Sequence, residues 1–172
     1  MCYFINLNFS IFNLLLFKKI RVKYMEILPH FWVSYYKENY NIIKEKKIKN
    51  IIHLSKNEQF IKKMDLDEIR IPIDYTDEDS FETQNIIIYQ HLFDVTDYIH
   101  EKIINNEKVM LLGKSGKQDI DVFIIAYLIR FGKVNIQQST LFLKSKKKDI
   151  FNPKCLFFFA LNKFYNELNK NY

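Results

Sequence analysis

The chain is poor in the residues that usually punctuate a fold: its 172 residues include three glycines, three prolines and two cysteines. Cys2 and Cys155 lie near opposite ends, so their spacing supports neither a disulfide framework nor a cysteine metal cluster. A reducing compartment, cytoplasmic or nuclear, is the expectation. Long apolar runs are missing too, and none reaches the ~20 residues that cross a bilayer. The nearest approach is Met1–Phe17, which carries no charged residue and is followed by Lys18, Lys19, Arg21 and Lys23. Asn6, Asn8, Ser10 and Asn13 interrupt it, and it lacks the basic leading segment of a secretory signal. Residues 1–25 therefore read as an apolar extension packed on a domain or as a product of a misassigned start codon, with membrane attachment the lesser alternative.

What is present argues for one packed domain. Hydrophobic residues make up 48% of the chain and aromatic residues 16%, too many for a disordered segment. The net charge is +6, with lysine-rich stretches at 44–49 and 144–148. Such runs could draw an acidic partner or nucleic acid. No zinc-finger, RNA-recognition or homeodomain pattern accompanies them, so a solvated basic face is expected. The heavy use of Ile, Asn, Lys, Phe and Tyr, all with AT-rich codons, supports that reading.

Local patterns predict the elements. Mixed charges around Ile42-Ile43 read as a helix over Tyr36–Lys47, and the β-branched run Ile48–Leu54 reads as a buried strand. His53 sits within that strand as a core or strand-end histidine rather than a ligand, because no partner His or Cys has metal-ligand spacing. Phe81, Ile88, Leu92, Val95, Ile99 and Ile103 fall on one helical stripe, capped by Asp79 or Ser80 and ended by Asn105-Asn106. Gly132 is expected as a left-handed cap after a helix over Ile120–Arg130. A further helix over Asn135–Lys146 should turn Ile136, Thr140 and Leu143 inward.

Two of the three glycines, Gly113 and Gly116, stand three residues apart in Val109–Asp119, VMLLGKSGKQD. An apolar strand there runs into a loop and then a helix, an arrangement whose orphan N–H groups and dipole form an anion cradle. The candidate binding loop is Gly113, Lys114, Ser115, Gly116, Lys117, Gln118 and Asp119. A nucleotide-binding Walker loop is excluded. It would need glycine at 108 or 111, where Lys108 and Leu111 stand, and Lys117 is followed by Gln118.

The loop resembles the phosphate loop of cysteine-dependent dual-specificity phosphatases, whose pattern is His-Cys-x-x-Gly-x-x-Arg after a strand. Leu112 then takes the histidine position, Gly113 the nucleophile position and Asp119 the arginine position, while Gly116 matches. The likeness continues elsewhere. Glu26–Pro29 and Phe31–Ser34 are similar to the family's opening hairpin, and Ile124–Ile129 to the helix after its loop. Asn152, Pro153, Phe157 and Leu161 match its terminal helix, with Tyr165 near the expected aromatic; Lys154 and Ala160 depart from it. Glu68–Asp74 resembles the strand before the general-acid loop, with Tyr75 at the acid position and Asp74 one residue early.

The resemblance implies a dual-specificity-type α/β fold over residues 26–169, with a central, mostly parallel sheet flanked by helices on both faces. It is greatest to the serine/threonine/tyrosine-interacting pseudophosphatases, where glycine also replaces the nucleophile. Loss of a nucleophile elsewhere costs on the order of a million-fold in turnover. A carboxylate at the arginine position also opposes phosphate, since unit charges at about 4 Å interact by roughly 4 kcal/mol at a surface-like dielectric. The expectation is a catalytically inactive protein-binding or scaffolding module, with a phosphate-independent partner, no cofactor and no metal. An active protein phosphatase and a basic nucleic-acid-binding module are the alternatives.

Overall fold

The computed structural model describes residues 24–34, 40–55, 65–73, 81–113, 118–148, 150–151 and 155–170. Strands β1 (Tyr24–Leu28) and β2 (Phe31–Ser34) form the expected antiparallel hairpin through Pro29 and His30. Then come α1 (Tyr40–Lys46), β3 (Asn50–Leu54), β4 (Asp67–Ile71) and α2 (Phe81–Ile104). The chain continues through β5 (Val109–Gly113), α3 (Asp119–Gly132), α4 (Ile136–Lys146) and α5 (Phe158–Asn169). The sheet order is β1-β2-β5-β3-β4, and every pair except β1–β2 is parallel.

Alternation along the strands sends successive side chains to opposite faces. Phe31, Val33, Ile52, Leu54, Val109 and Leu111 join the major core, which α2, α3, α4 and α5 cover. Trp32, Ile51, Met110 and Leu112 join a smaller core with Ile42, Ile43 and Ile48, on the α1 side. Helices thus lie on both faces. The predicted stripe of α2 is real: Ile88, Leu92, Val95 and Ile99 are fully buried. Helix α3 is buried all round from Asp119 to Ile129, as befits a central helix.

Scarce glycine leaves a mark on the backbone. His30, Lys47, Asn106, Lys133 and Phe151 all take left-handed φ between 52° and 69°. The expected cap at Gly132 is displaced by one residue, because Gly132 ends α3 and Lys133 carries φ 55°. A non-glycine residue in this region costs roughly 1–2 kcal/mol, against about 0.5–1 kcal/mol of extra unfolded-state entropy for glycine. Exposed Lys47→Gly, which ends α1 at φ 54°, should therefore stabilise the domain by about 0.5 kcal/mol in urea unfolding.

One helical face also differs from expectation. In α4, Ser139 and Leu143 are buried, whereas Ile136 and Thr140 are only partly so. The Ser139 hydroxyl is satisfied by Asn135 O at 2.9 Å, and Asn135 closes a reciprocal capping box with Gln138. In α5 the deep aromatic is Phe164, packed against Phe93 with ring centroids 4.6 Å apart, while Tyr165 is half-buried. The N-cap candidates Asp79 and Ser80 lie outside the described residues, as do Asn152 and Pro153.

Candidate functional site

Gly113 ends the central strand β5, between β2 and β3, at the carboxyl edge of the parallel strands where α/β folds place their ligands. Helix α3 begins six residues later at Asp119, so the strand–loop–helix order is as expected. Lys114, Ser115, Gly116 and Lys117 lie outside the described residues, and so do the general-acid candidates Asp74 and Tyr75.

The three degenerate positions fall around this edge. Leu112 pairs in register with Ser34 on one side and His53 on the other. Its side chain packs into the smaller core with Trp32, Ile51 and Met110. At Gly113, a Cβ would lie 2.7 Å from Ile120 Cγ1 and 2.8 Å from Cδ1, closer than real Cβ contacts come. Asp119 Oδ1 would stand 3.5 Å away. Asp119 itself is fully buried, and its Oδ1 accepts a hydrogen bond from the Ile120 N–H at 2.9 Å. A carboxylate in the first turn of α3 is also stabilised by the positive end of the helix dipole. Asp119 is therefore part of the helix start rather than a charge displayed to solvent.

Gln118 of the candidate loop and a neighbour outside it, Asp121, hold this corner together. The side-chain oxygen of Gln118 accepts the Leu156 N–H at 2.8 Å, tying the end of the loop to the approach of α5. Asp121, with 1% side-chain exposure, receives Lys147 Nζ at 2.8 and 3.0 Å. Lys147 belongs to the basic stretch expected to be solvated, so that expectation fails for this residue. The available signal was weak: an aspartate in the first turn of an otherwise apolar helix.

Cys155 is the one cysteine among the described residues, and its surroundings favour the protonated thiol. Burial raises its thiol from 9.0 to about 11, with the Asp121 charge adding to the rise and a hydrogen bond with the Phe157 backbone opposing it. Such a rise lowers the thiolate fraction at neutral pH about a hundredfold. Iodoacetamide at pH 7 should alkylate Cys155 correspondingly more slowly in the folded chain than in urea. The fold favours the protonated thiol, so this group's contribution to stability is retained below pH 9 and declines as pH climbs from 9 towards 11.

His53 is a buried core histidine, as expected, with Nε2 2.6 Å from Glu68 Oε2. Among the described residues no group of three His, Cys, Asp or Glu side chains could hold a metal ion. None of the described helices is long and apolar enough to cross a membrane.

The sequence model of the dual specificity phosphatase catalytic domain matches residues 31–167. This covers most of the chain, and the protein belongs to that family. Its similarity to "Putative tyrosine phosphatase 123R" of Invertebrate iridescent virus 6 is 34% identity over 82 residues. That match covers 48% of this chain and 57% of the viral protein, so the chain spans little more than half the length of this curated relative. Among solved structures, human DUSP28 is similar with a TM-score of 0.70 and 13% identity, over 86% of this chain and 99% of that one. The human tyrosine phosphatase-like serine/threonine/tyrosine-interacting protein gives a TM-score of 0.64 and 16% identity, over 82% and 94%. At these identities the likeness is one of fold.

Proposed function

We propose that this domain is a catalytically inactive member of its family, a pseudophosphatase that works by holding a protein partner. The observation that carries the reading is the packing at Gly113, where the space a nucleophilic side chain would enter is taken by Ile120. A thiolate must reach phosphorus from this position, and no side chain can start from it without displacing a buried isoleucine. Glycine at the same position in the serine/threonine/tyrosine-interacting pseudophosphatases supports the same assignment. Partner recognition is phosphate-independent, because buried Asp119 places a carboxylate where the family pattern has a phosphate-gripping arginine.

Purified protein should hydrolyse neither an aryl phosphate nor phosphotyrosine and phosphothreonine peptides above a buffer blank. Vanadate-sensitive turnover that co-elutes with the protein would overturn the assignment in favour of an active phosphatase. By calorimetry, a partner recovered by affinity capture should bind equally well with and without its phosphate groups. A tenfold preference for the phosphorylated form, about 1.4 kcal/mol, would refute phosphate independence.

A further inference from the structure

We infer that copies of this chain associate head to tail, the solvent stripe of α4 on one copy lying antiparallel against the solvent stripe of α2 on the next. Charge is segregated along the sequence, and a codon bias that enriches lysine does not empty one stretch of acids. Residues 122–148 carry Arg130, Lys133, Lys144, Lys146, Lys147 and Lys148 with no Asp or Glu. Helix α2 carries Glu82, Asp94, Asp97 and Glu101 against Lys102 alone. The exposed positions of α2, from Ile86 through Gln90, Asp94, Asp97 and Glu101 to Ile104, recur at three- and four-residue spacing and so share one face. On α4 the exposed stripe is Gln137, Leu141 and Lys144, with exposed Lys148 just past the helix end at Lys146.

The two stripes match in order as well as in sign. Ile104, 62% exposed, and Leu141, 59% exposed, are two of the three most exposed large apolar side chains among the described residues. Toward the N-terminus of α2, Ile104 is followed after three residues by Glu101 and after seven by Asp97. Toward the C-terminus of α4, Leu141 is followed after three residues by Lys144 and after seven by Lys148. An antiparallel arrangement therefore sets Leu141 on Ile104, Lys144 on Glu101, and Lys148 near Asp97 and Asp94. Both stripes face solvent, so one molecule does not pair them with itself, and the contact is heterologous between copies.

Each stripe also holds charge that its own molecule leaves unbalanced. Among the described residues Lys144 and Lys148 pair with no carboxylate, and Asp94 pairs with no cation. The Glu101 side chain is 63% exposed, with its nearest cation, Lys102 Nζ, at 3.8 Å. Glu101 stands in the last turn of α2, where the negative end of the helix dipole repels a carboxylate. A lysine from a second copy offsets that repulsion, and antiparallel helices place opposite dipole ends side by side. About two helical turns are in contact, which puts the interface in the small, transient class. Its charged part weakens as salt is added.

Sedimentation velocity on the full chain tests the contact. At about 20 mM salt the weight-average coefficient should climb with protein concentration towards roughly 1.5 times the monomer value, and at about 0.5 M salt it should stay at the monomer value. Full-chain Lys144→Glu/Lys148→Glu and Asp94→Lys/Glu101→Lys variants should each remain monomeric at low salt, with far-ultraviolet circular dichroism unchanged. Mixing the two variants should restore association, because each reversed stripe then meets its complement on the other variant. Both variants keep a positive net charge, so attraction between whole molecules would not produce that rescue. Association of the parent that persists in high salt overturns the inference, as does association of either variant alone or a mixture that stays monomeric. A parent that is monomeric at low salt also overturns it, and capture of poly-glutamate or RNA by that monomer would assign the α4 stripe to an acidic protein or a nucleic acid instead.

Discussion

Gly113→Cys combined with Asp119→Arg will bind vanadate no better than the parent chain, whereas adding Ile120→Ala to the pair will raise the affinity at least tenfold, about 1.4 kcal/mol. The pair alone restores the thiol and the guanidinium fork of the family pattern. It does so into occupied space, since the new Cβ would start 2.7 Å from Ile120 Cγ1 in a region with no exposure to solvent. Strain at that contact must be relieved by moving Ile120 or the strand end, and either movement misplaces the sulfur. Trimming Ile120 removes the obstruction. It also removes buried apolar volume, a change that costs about 2–5 kcal/mol elsewhere and that the cysteine side chain partly offsets. Circular dichroism melting must accompany the titration for that reason. Leu112 is better left in place, because an imidazole there would enter the apolar cluster of Trp32, Ile51 and Met110. Vanadate bound tightly by the double variant would show that Ile120 yields freely and that its packing is no barrier.

Lys147→Met will lower the stability of the domain by about 3–5 kcal/mol, the usual consequence of removing one partner from a buried ion pair. Asp121 has 1% side-chain exposure, and both of its oxygens face Lys147 Nζ at 3.0 and 2.8 Å. Without the ammonium the carboxylate stays in a low-dielectric corner with its main countercharge gone. For a chain of this size the melting temperature should fall by roughly 6–20 °C. Asp121→Leu combined with Lys147→Met should recover most of the loss, since an apolar pair of similar volume substitutes well for a buried ion pair. Urea unfolding of the two single variants and the double variant closes the cycle. Strictly additive losses would mean that the two residues contribute separately, and the ion pair would not be what holds α3 to the segment after α4.

The elements of this fold could be read directly because their signals are local. The stripe from Ile88 to Ile99 carries the period of a helix whatever it packs against, and its burial followed. The run Val109–Leu112 before a glycine announced an apolar strand for the same reason, and it proves to be the buried central strand. The family pattern also placed a strand end and a helix start around Gly113 and Asp119, and β5 ends at the first while α3 begins at the second. The misplaced cap shows the limit of such signals. Gly132 is the residue best suited to a left-handed turn, yet one more helical residue forms and Lys133 takes the strain.

Residue identities along the chain were thus enough to point to the family whose model matches residues 31–167, and to set Gly113 and Asp119 against the cysteine and arginine of its pattern. They could not show what stands beside Gly113. Ile120 reaches the position a Cβ of Gly113 would occupy because α3 packs directly against the end of β5. The Gln118–Leu156 and Asp121–Lys147 contacts join residues 38 and 26 positions apart. Periodicity reports which face of an element is apolar, but not which side chain of a neighbouring element fills a given gap. That choice is made by close packing in three dimensions, where a difference of about one ångström decides whether a site is open or closed.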